Sequence, residues 1–354
     1  MKNLMYVCSK KMAKYPLFIL ILMLLYSCST EVDITGKAEH KPVIYAIVDV
    51  NAKTQLFKIH RTFLADGNIY NYTTIPDSIF YPYKLKVKLQ ELNANGQILH
   101  EYPADTVHIF TQGGNFFTGY HPYYRIRLTN YYQAFNGDTF WFNPNLTYKL
   151  VVLDTVTGKS YEATGQPLSN FEVSKPSSYQ TYIGFTSSTS SSVDWKATPG
   201  GKIYEVKFIF DYFEISDANP QDTIKKSIEW YIGKINYIGG DPSMSIGYNG
   251  ITFFDLLQKN IPVIPGVKRY PGYVWLIISV ADENMDLYIK ASSPSNSIVQ
   301  DKLSFTNISD ALGIFVFRLK KTAKYKLSST TLQEIFSNEK TKDLNFNGYF
   351  PNFQ

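Results

Sequence analysis

Residues 84–92 read KLKVKLQEL, and their alternation decides the fold class. Leu85, Val87, Leu89 and Glu91 fall on one side of an extended chain, and Lys84, Lys86, Lys88 and Gln90 fall on the other. A period of two with one apolar and one basic face marks a strand in a sheet that meets water on one side. Residues 93–96, Asn-Ala-Asn-Gly, supply turn chemistry, so residues 97–102 are expected to return as its partner.

The same period recurs outward from this strand. Residues 42–50 (PVIYAIVDV) form an apolar run of strand length, and in residues 55–62 (QLFKIHRT) Leu56, Lys58 and His60 alternate with Phe57 and Ile59. Residues 148–154 (YKLVVLD) and 160–164 flank Thr157-Gly158-Lys159, the pattern of a hairpin. About seven short strands over roughly 125 residues point to an Ig-like β-sandwich spanning residues 43–167.

Gly165-Gln166-Pro167 and the Ser/Thr tract at 186–192 (TSSTSSS) bracket a low-complexity stretch that reads as an exposed connection. A boundary is placed near residue 168. In residues 168–354, the run 203–212 (IYEVKFIFDY) is expected to pair with 224–232 (IKKSIEWYI). Residues 273–280 (YVWLIISV) form an apolar strand, and 303–305 and 314–319 close the sheet. Residues 249–258 (NGITFFDLLQ) predict a helix capped by Asn249, with Ile251, Phe254, Leu256 and Leu257 on its apolar face. Residues 285–291 fit either a helix or a strand. The fold class is therefore mainly β: an N-terminal Ig-like β-sandwich followed by a second β-rich domain with a short helix.

Composition agrees. The chain has 354 residues, 16% of them aromatic and 18% charged, which excludes collagen-like, coiled-coil and disordered classes. The net charge of +5 comes largely from Lys2, Lys10, Lys11 and Lys14; beyond residue 27 the basic and acidic residues nearly balance. Without a basic stripe to neutralise phosphates, nucleic acid is not an expected partner.

Residues 1–27 read as a secretory signal peptide whose start is either Met1 or Met12. Lys10, Lys11 and Lys14 precede the apolar run 15–26 (YPLFILILMLLY), which is too short to span a hydrocarbon core of about 30 Å. Leu25-Tyr26-Ser27-Cys28 resembles a bacterial lipobox. A thiol at Cys28 would accept a diacylglycerol, and several acyl chains anchor stably at about 0.8 kcal/mol per buried CH₂. Residues 28–42 then form a lipidated tether. The only other cysteine is Cys8, so the folded body has no disulfide. The acids in Ser29-Thr30-Glu31-Val32-Asp33 resemble the surface-export signal of Bacteroidota lipoproteins, which favours the outer membrane and the cell surface over its periplasmic face.

Three further stretches carry a resemblance: 147–165 (TYKLVVLDTVTGKSYEATG), 273–291 (YVWLIISVADENMDLYIKA) and 303–318 (LSFTNISDALGIFVFR). With the lipobox they resemble an uncharacterised family of Bacteroidota outer-membrane lipoproteins with an F-T-N-I-x-x-G-x-G-I-F motif near the C-terminus. The chain departs from that motif at Asp310-Ala311-Leu312. The resemblance implies no activity, but it implies company with TonB-dependent outer-membrane transporters. The residues themselves suggest that Asn307 fixes a turn and that Gly313 lets two strands approach closely.

No catalytic residue, metal site or cofactor is expected. The five histidines, His40, His60, His100, His108 and His121, show no H-E-x-x-H spacing, and the chain has no P-loop and no G-x-S-x-G elbow. Asp211 with Glu214, or Asp282 with Glu283, could serve as glycosidase carboxylates only at a suitable separation. Asp77-Ser78-Ile79, Asp105-Thr106-Val107, Asp154-Thr155-Val156 and Asp222-Thr223-Ile224 resemble the O-glycosylation sequon of Bacteroidota.

One segment stands out. Residues 109–142 hold 12 aromatics, where average composition gives about five. Tyr120, Tyr123, Tyr124, Tyr131, Tyr132 and Trp141 are the candidate binding surface; the alternatives are that these aromatics fill the sandwich core and its rim or that they contact the membrane interface. The expected function is a non-catalytic binding or accessory role in an envelope complex. The membrane is engaged through the N-terminal lipid, and an outer-membrane barrel or transporter is the candidate partner. The alternative is a surface glycan-binding lipoprotein that uses the 109–142 aromatics.

Overall fold

The computed structural model describes residues 40–63, 68–133, 139–293 and 305–349. The signal peptide and Cys28 lie outside the described residues. In chain order the first half forms β1 (Pro42–Asp49), β2 (Thr54–Arg61), β3 (Lys86–Leu92), β4 (Ile98–Pro103), β5 (Asp105–Thr111), β6 (Gly119–Arg127), β7 (Tyr132–Gln133), β8 (Thr139–Phe140), β9 (Thr147–Leu153) and β10 (Ser160–Gly165). The second half adds β11 (Val173–Lys175), β12 (Tyr182–Ile183), β13 (Ser190–Lys196), β14 (Ile203–Ser216), β15 (Asn219–Asn236) and β16 (Ser243–Asn249). Helix α1 (Ile251–Asn260), β17 (Val267–Ala281), α2 (Glu283–Ser292), β18 (Leu312–Leu327) and α3 (Ser329–Ser337) complete it. The fold is mainly β.

The alternation in residues 84–92 is realised in part in β3: Val87, Leu89 and Glu91 are buried, but Gln90 on the other face is buried too, donating to Glu101 of β4 at 2.8 Å, and β4 and β9 flank the strand in antiparallel register. The four-stranded sheet β10-β9-β3-β4 forms one layer of the Ig-like sandwich. The other layer belongs to a nine-stranded sheet with the path β15-β14-β17-β18-β1-β2-β6-β5, off which β12 pairs with β18. Between the layers, Ile44, Phe57, Leu89, Ile126, Leu150 and Phe317 are fully buried. Truncating one such phenylalanine to alanine costs about 3–5 kcal/mol, so this core accounts for a large share of stability.

The large sheet crosses the boundary expected near residue 168. β18 comes from the end of the chain, yet Leu312–Arg318 pair in parallel with Val43–Asp49 of β1. Its later residues pair antiparallel with β17. Phe317 packs edge-on to Phe142 at 5.6 Å inside the first sandwich, and the described residues from His40 onward form one compact unit.

The F-T-N-I segment explains how β18 enters. The Asn307 side chain donates to Phe315 O at 2.7 Å and accepts from Phe315 N at 2.9 Å, imitating a strand neighbour. Gly313 has φ +100°, and a Cβ there would lie 2.0 Å from Ile44 O. Glycine is therefore required at this crossing, and Ile314 and Phe315 follow it into the interior.

In the second half β14 pairs with β15, as expected for 203–212 and 224–232, and its other edge pairs with β17. Among the described residues of the second half there are three α-helices and a 3-10 turn at Lys342–Leu344, where one helix was expected and a second left open. For α1, Gly250 is the N-cap, and the Asn249 side chain accepts from Ile251 N at 3.2 Å. Residues 285–291 are helical, because Asp282 caps α2 by accepting from Met285 N at 3.1 Å. In α3 the Ser328 hydroxyl accepts from Thr331 N at 3.2 Å. The Ser/Thr tract is not wholly a connection either. Ser190–Ser192 open β13 and pair with Asn249–Gly247 of β16, because the ladder satisfies the backbone whatever the side chains. Of the expected strand 303–305, residues 303 and 304 lie outside the described residues and Phe305 is not in a strand.

Candidate functional site

β5 is the last strand of the large sheet, and among the described residues no strand pairs with its outer edge. Its hairpin with β6 sets Thr106, His108 and Phe110 opposite Tyr124, Pro122 and Tyr120. These six side chains share a face by alternation, yet their burial differs sharply. Tyr124 is 5% exposed and its hydroxyl accepts from Leu85 N at 3.1 Å. Tyr120 is 67% exposed and meets Phe110, itself 60% exposed, edge-on at 5.6 Å. The second sandwich layer covers one end of the hairpin and leaves the other bare.

The bare end is extended by a neighbouring segment. Of two helical turns, Tyr70–Thr73 sits against the loop between β5 and β6, and Pro76–Ile79 packs on β2. Phe117 N donates to Thr73 O at 2.9 Å, and the Thr73 hydroxyl donates to Asn115 O at 2.7 Å. Ile69, Tyr70, Ile75 and Phe116 are all exposed there. Ile109 and Phe110 are exposed at one end of β5, while the charge that would blunt the edge, Asp105, lies at the other end and pairs with Arg125.

Residues 80–84 then cross toward Tyr124 and leave a groove of about 300 Å³, lined by Tyr81, Tyr83, Lys84, His108, Tyr120 and Pro122 among others. Tyr83 donates to Asp154 at 3.0 Å. The Tyr81 hydroxyl has no hydrogen-bond partner among the described residues, and burial raises its pKa. At the sheet end Phe80 lies between His60, at 5.3 Å, and His121, at 5.1 Å. His121 Nε2 bonds Phe117 O at 2.8 Å, and its Nδ1 has no partner among the described residues. Burial, with the charge of Lys58 and then His121, lowers the pKa of His60 to about 4.

The five tyrosines and one tryptophan read from the sequence are thus not one surface. Tyr120 belongs to the bare end. Tyr124 is a core residue, a correction that follows from the cover of β3 and its approach. Tyr123 is half-buried on the opposite face, 5.9 Å below the Lys58 ammonium. Tyr131 and Trp141 form a separate pair at 5.9 Å, with Lys53 over the indole at 5.2 Å. Tyr132 is half-buried and donates to Glu91 Oε1 at 3.0 Å. The exposed Ile69, Tyr70 and Ile75 were missed. Their only signal was apolar residues in an otherwise polar stretch without a period (NIYNYTTI, 68–75).

The carboxylate pairs are held in structural bonds. Asp211 accepts from Ser227 at 2.6 Å and Trp275 Nε1 at 2.8 Å, and pairs with Lys225 at 2.8 Å. Glu214 pairs with Arg269 at 2.9 Å and Lys226 at 2.6 Å. Burial alone would raise both carboxyls, but these donors outweigh it and hold them below the usual range. Burial raises Asp282, the cap of α2, and Glu283 is exposed beside it. Thr155 and Thr223 of the sequon-like tripeptides are exposed, while Ser78 and Thr106 are half-buried. Among the described residues no group of three or more His, Cys, Asp or Glu could hold a metal ion, and no helix is long and apolar enough to cross a membrane.

No family model matches the chain, and no curated protein matches it. Among solved structures it is similar to trypsin-activated alpha-2-macroglobulin from Escherichia coli, at 8% identity and a TM-score of 0.16. That match covers 69% of this chain, which spans 15% of the macroglobulin chain. A second match is CBD12 from CALX1.2, at 9% identity and a TM-score of 0.17, covering 81% of this chain and 99% of that one.

Proposed function

We propose that this chain is an outer-membrane-anchored lipoprotein of the Bacteroidota type with a non-catalytic binding or accessory role in an envelope complex. Acyl chains on Cys28 hold it at the cell surface, and the partner is an outer-membrane barrel such as a TonB-dependent transporter. The observation that carries the binding role is the bare end of the β5–β6 hairpin. Exposed Phe110, Phe116, Tyr120, Ile69, Tyr70 and Ile75 gather there at the outer sheet edge. Clustered exposed aromatic and aliphatic side chains are the common anchors of protein interfaces. The lipobox and the export-like acids of the sequence support the anchor and the location. The test is to tag the C-terminus, solubilise membranes in mild detergent and identify what co-elutes. A barrel protein at near-equal amount supports the accessory role; elution alone in every mild detergent contradicts it.

A second reading, surface glycan binding, is favoured by the groove beside Tyr120. Tyr81, Tyr83 and Tyr120 offer ring faces, and His108 and Lys84 offer donors within one recess. It predicts retention on a polysaccharide that Tyr120→Ala abolishes with the fold intact. Retention that survives Tyr120→Ala, or no retention on a broad panel, contradicts it.

A further inference from the structure

β18 has two partners along one side. Its first half pairs with β1 as far as Asp49 opposite Arg318. Its end pairs with β12, Tyr182 opposite Lys326 and Ile183 opposite Leu327, again in parallel. β1 and β12 therefore lie end to end against β18 with a gap between them. Eight positions separate the two rims, about 26 Å at roughly 3.3 Å per residue.

The bonds at the rims define which backbone groups face that gap. Val50 N donates to Arg318 O at 2.9 Å, Lys320 N donates to Asn51 Oδ1 at 2.9 Å, and Lys326 N donates to Thr181 O at 2.8 Å. All three belong to even positions of β18. Alternation then turns the N–H and C=O of Thr322 and Lys324 into the gap, while Lys321, Ala323 and Tyr325 direct theirs toward β17. Among the described residues no strand pairs with Thr322 or Lys324 on this side. A groove of about 740 Å³ opens alongside, with Ala323 and Tyr325 on one wall and Phe171, Val173 and Pro176 on another.

We infer that this gap is a docking lane for a short extended segment of another protein, one that alternates acidic and small apolar residues. An inserted strand of about three to five residues satisfies the Thr322 and Lys324 backbone groups by β-augmentation. Its apolar side chains enter the groove beside Ala323 and Tyr325. Its other side chains emerge on the opposite face of β18, which carries Lys320 and Lys324; Lys320 gives a carboxylate a favourable cross-strand partner, and the Lys324 ammonium, 4.3 Å from the Tyr273 ring centre, adds positive charge beside it. Among the residues that line the groove, Glu172 is the single acid, against Lys321 and Lys324. The lane lies on β18, four strands from the aromatic edge at β5, and does not depend on the role proposed for that edge.

The test uses the folded protein and a fluorescein-labelled, end-blocked peptide, TEVEVET, with TKVKVKT and TEPEPET as controls. Anisotropy at low salt should show binding of the first peptide only, weakened about tenfold by combined Lys320→Glu and Lys324→Glu. Hydrogen exchange supplies the second readout. The amides of Thr322 and Lys324 should exchange rapidly in the free protein and become protected with TEVEVET, whereas Ala323 and Tyr325 are protected in both states. No binding of TEVEVET, equal binding of all three peptides, or binding that leaves Thr322 and Lys324 unprotected overturns the proposal. Slow exchange at Thr322 and Lys324 in the free protein overturns it as well, because the lane would then be filled already.

Discussion

The Tyr132 hydroxyl donates to Glu91 Oε1 at 3.0 Å, tying the short β7–β8 ribbon to the buried face of β3. Two more hydroxyls reach the same carboxylate: Tyr102 at 3.1 Å and Tyr148 at 3.2 Å, both to Oε2. Glu91 is 2% exposed, and burying an acid requires such donors. Glu91→Ala leaves three hydroxyls without their acceptor and should cost about 3–5 kcal/mol. Tyr132→Phe removes one donor and should cost about 1 kcal/mol. Urea unfolding midpoints check both; a Glu91→Ala cost no larger than that of Tyr132→Phe would contradict the three-donor account.

Gly313 and Gly158 both have positive φ, +100° and +74°, but only Gly313 is crowded. Gly158→Ala meets nothing within 4 Å and should cost about 1 kcal/mol of backbone strain. Gly313→Ala drives a Cβ onto Ile44 O and should cost more than about 3 kcal/mol or prevent folding. Equal thermal midpoints for the two variants would show that the β1–β18 crossing tolerates a side chain.

Stability should fall on mild acidification because of His60. Its folded pKa, about 4, lies below the ordinary 6.5, so the unfolded chain takes up the proton first. The contribution is complete above pH 6.5, declines as pH falls below that value and is lost by about pH 4. Its size is about 1–3 kcal/mol once partial exposure is allowed for. Asp211 and Glu214, held below the usual range, add their losses only at lower pH. His60→Phe should flatten the slope between about pH 6.5 and 5; an unchanged slope would assign it to other groups.

The anchor makes its own prediction. Cys28→Ala should yield a precursor that labelled fatty acid does not mark. Labelling that persists in the variant would remove Cys28 from the account.

Local structure was readable wherever alternation and turn residues acted together. Residues 84–102 needed only period two and Asn-Gly chemistry, and Glu91 already stood on the apolar side of β3. The pairing of β1 with β18 was not readable, since it joins residues about 270 positions apart and rests on one glycine and one asparagine. Helix α3 was overlooked because its apolar stripe is only Leu332, Ile335 and Phe336, although Ser328 is a good cap. At the candidate site the limit was different. Tyr120 and Tyr124 lie on one face of one strand, and a period of two cannot say where along that strand the second layer stops.

The most direct test of the central claim compares mild-detergent co-purification of the wild-type chain with that of a Phe110→Ser, Tyr120→Ser double variant. Both side chains are exposed, so the fold and membrane attachment should be unchanged. The account predicts a barrel protein at near-equal amount with the wild type and at least about a tenfold loss of it with the variant. Equal recovery of the barrel by both chains would contradict it, because the bare end of the sheet would then not be the surface that meets the partner.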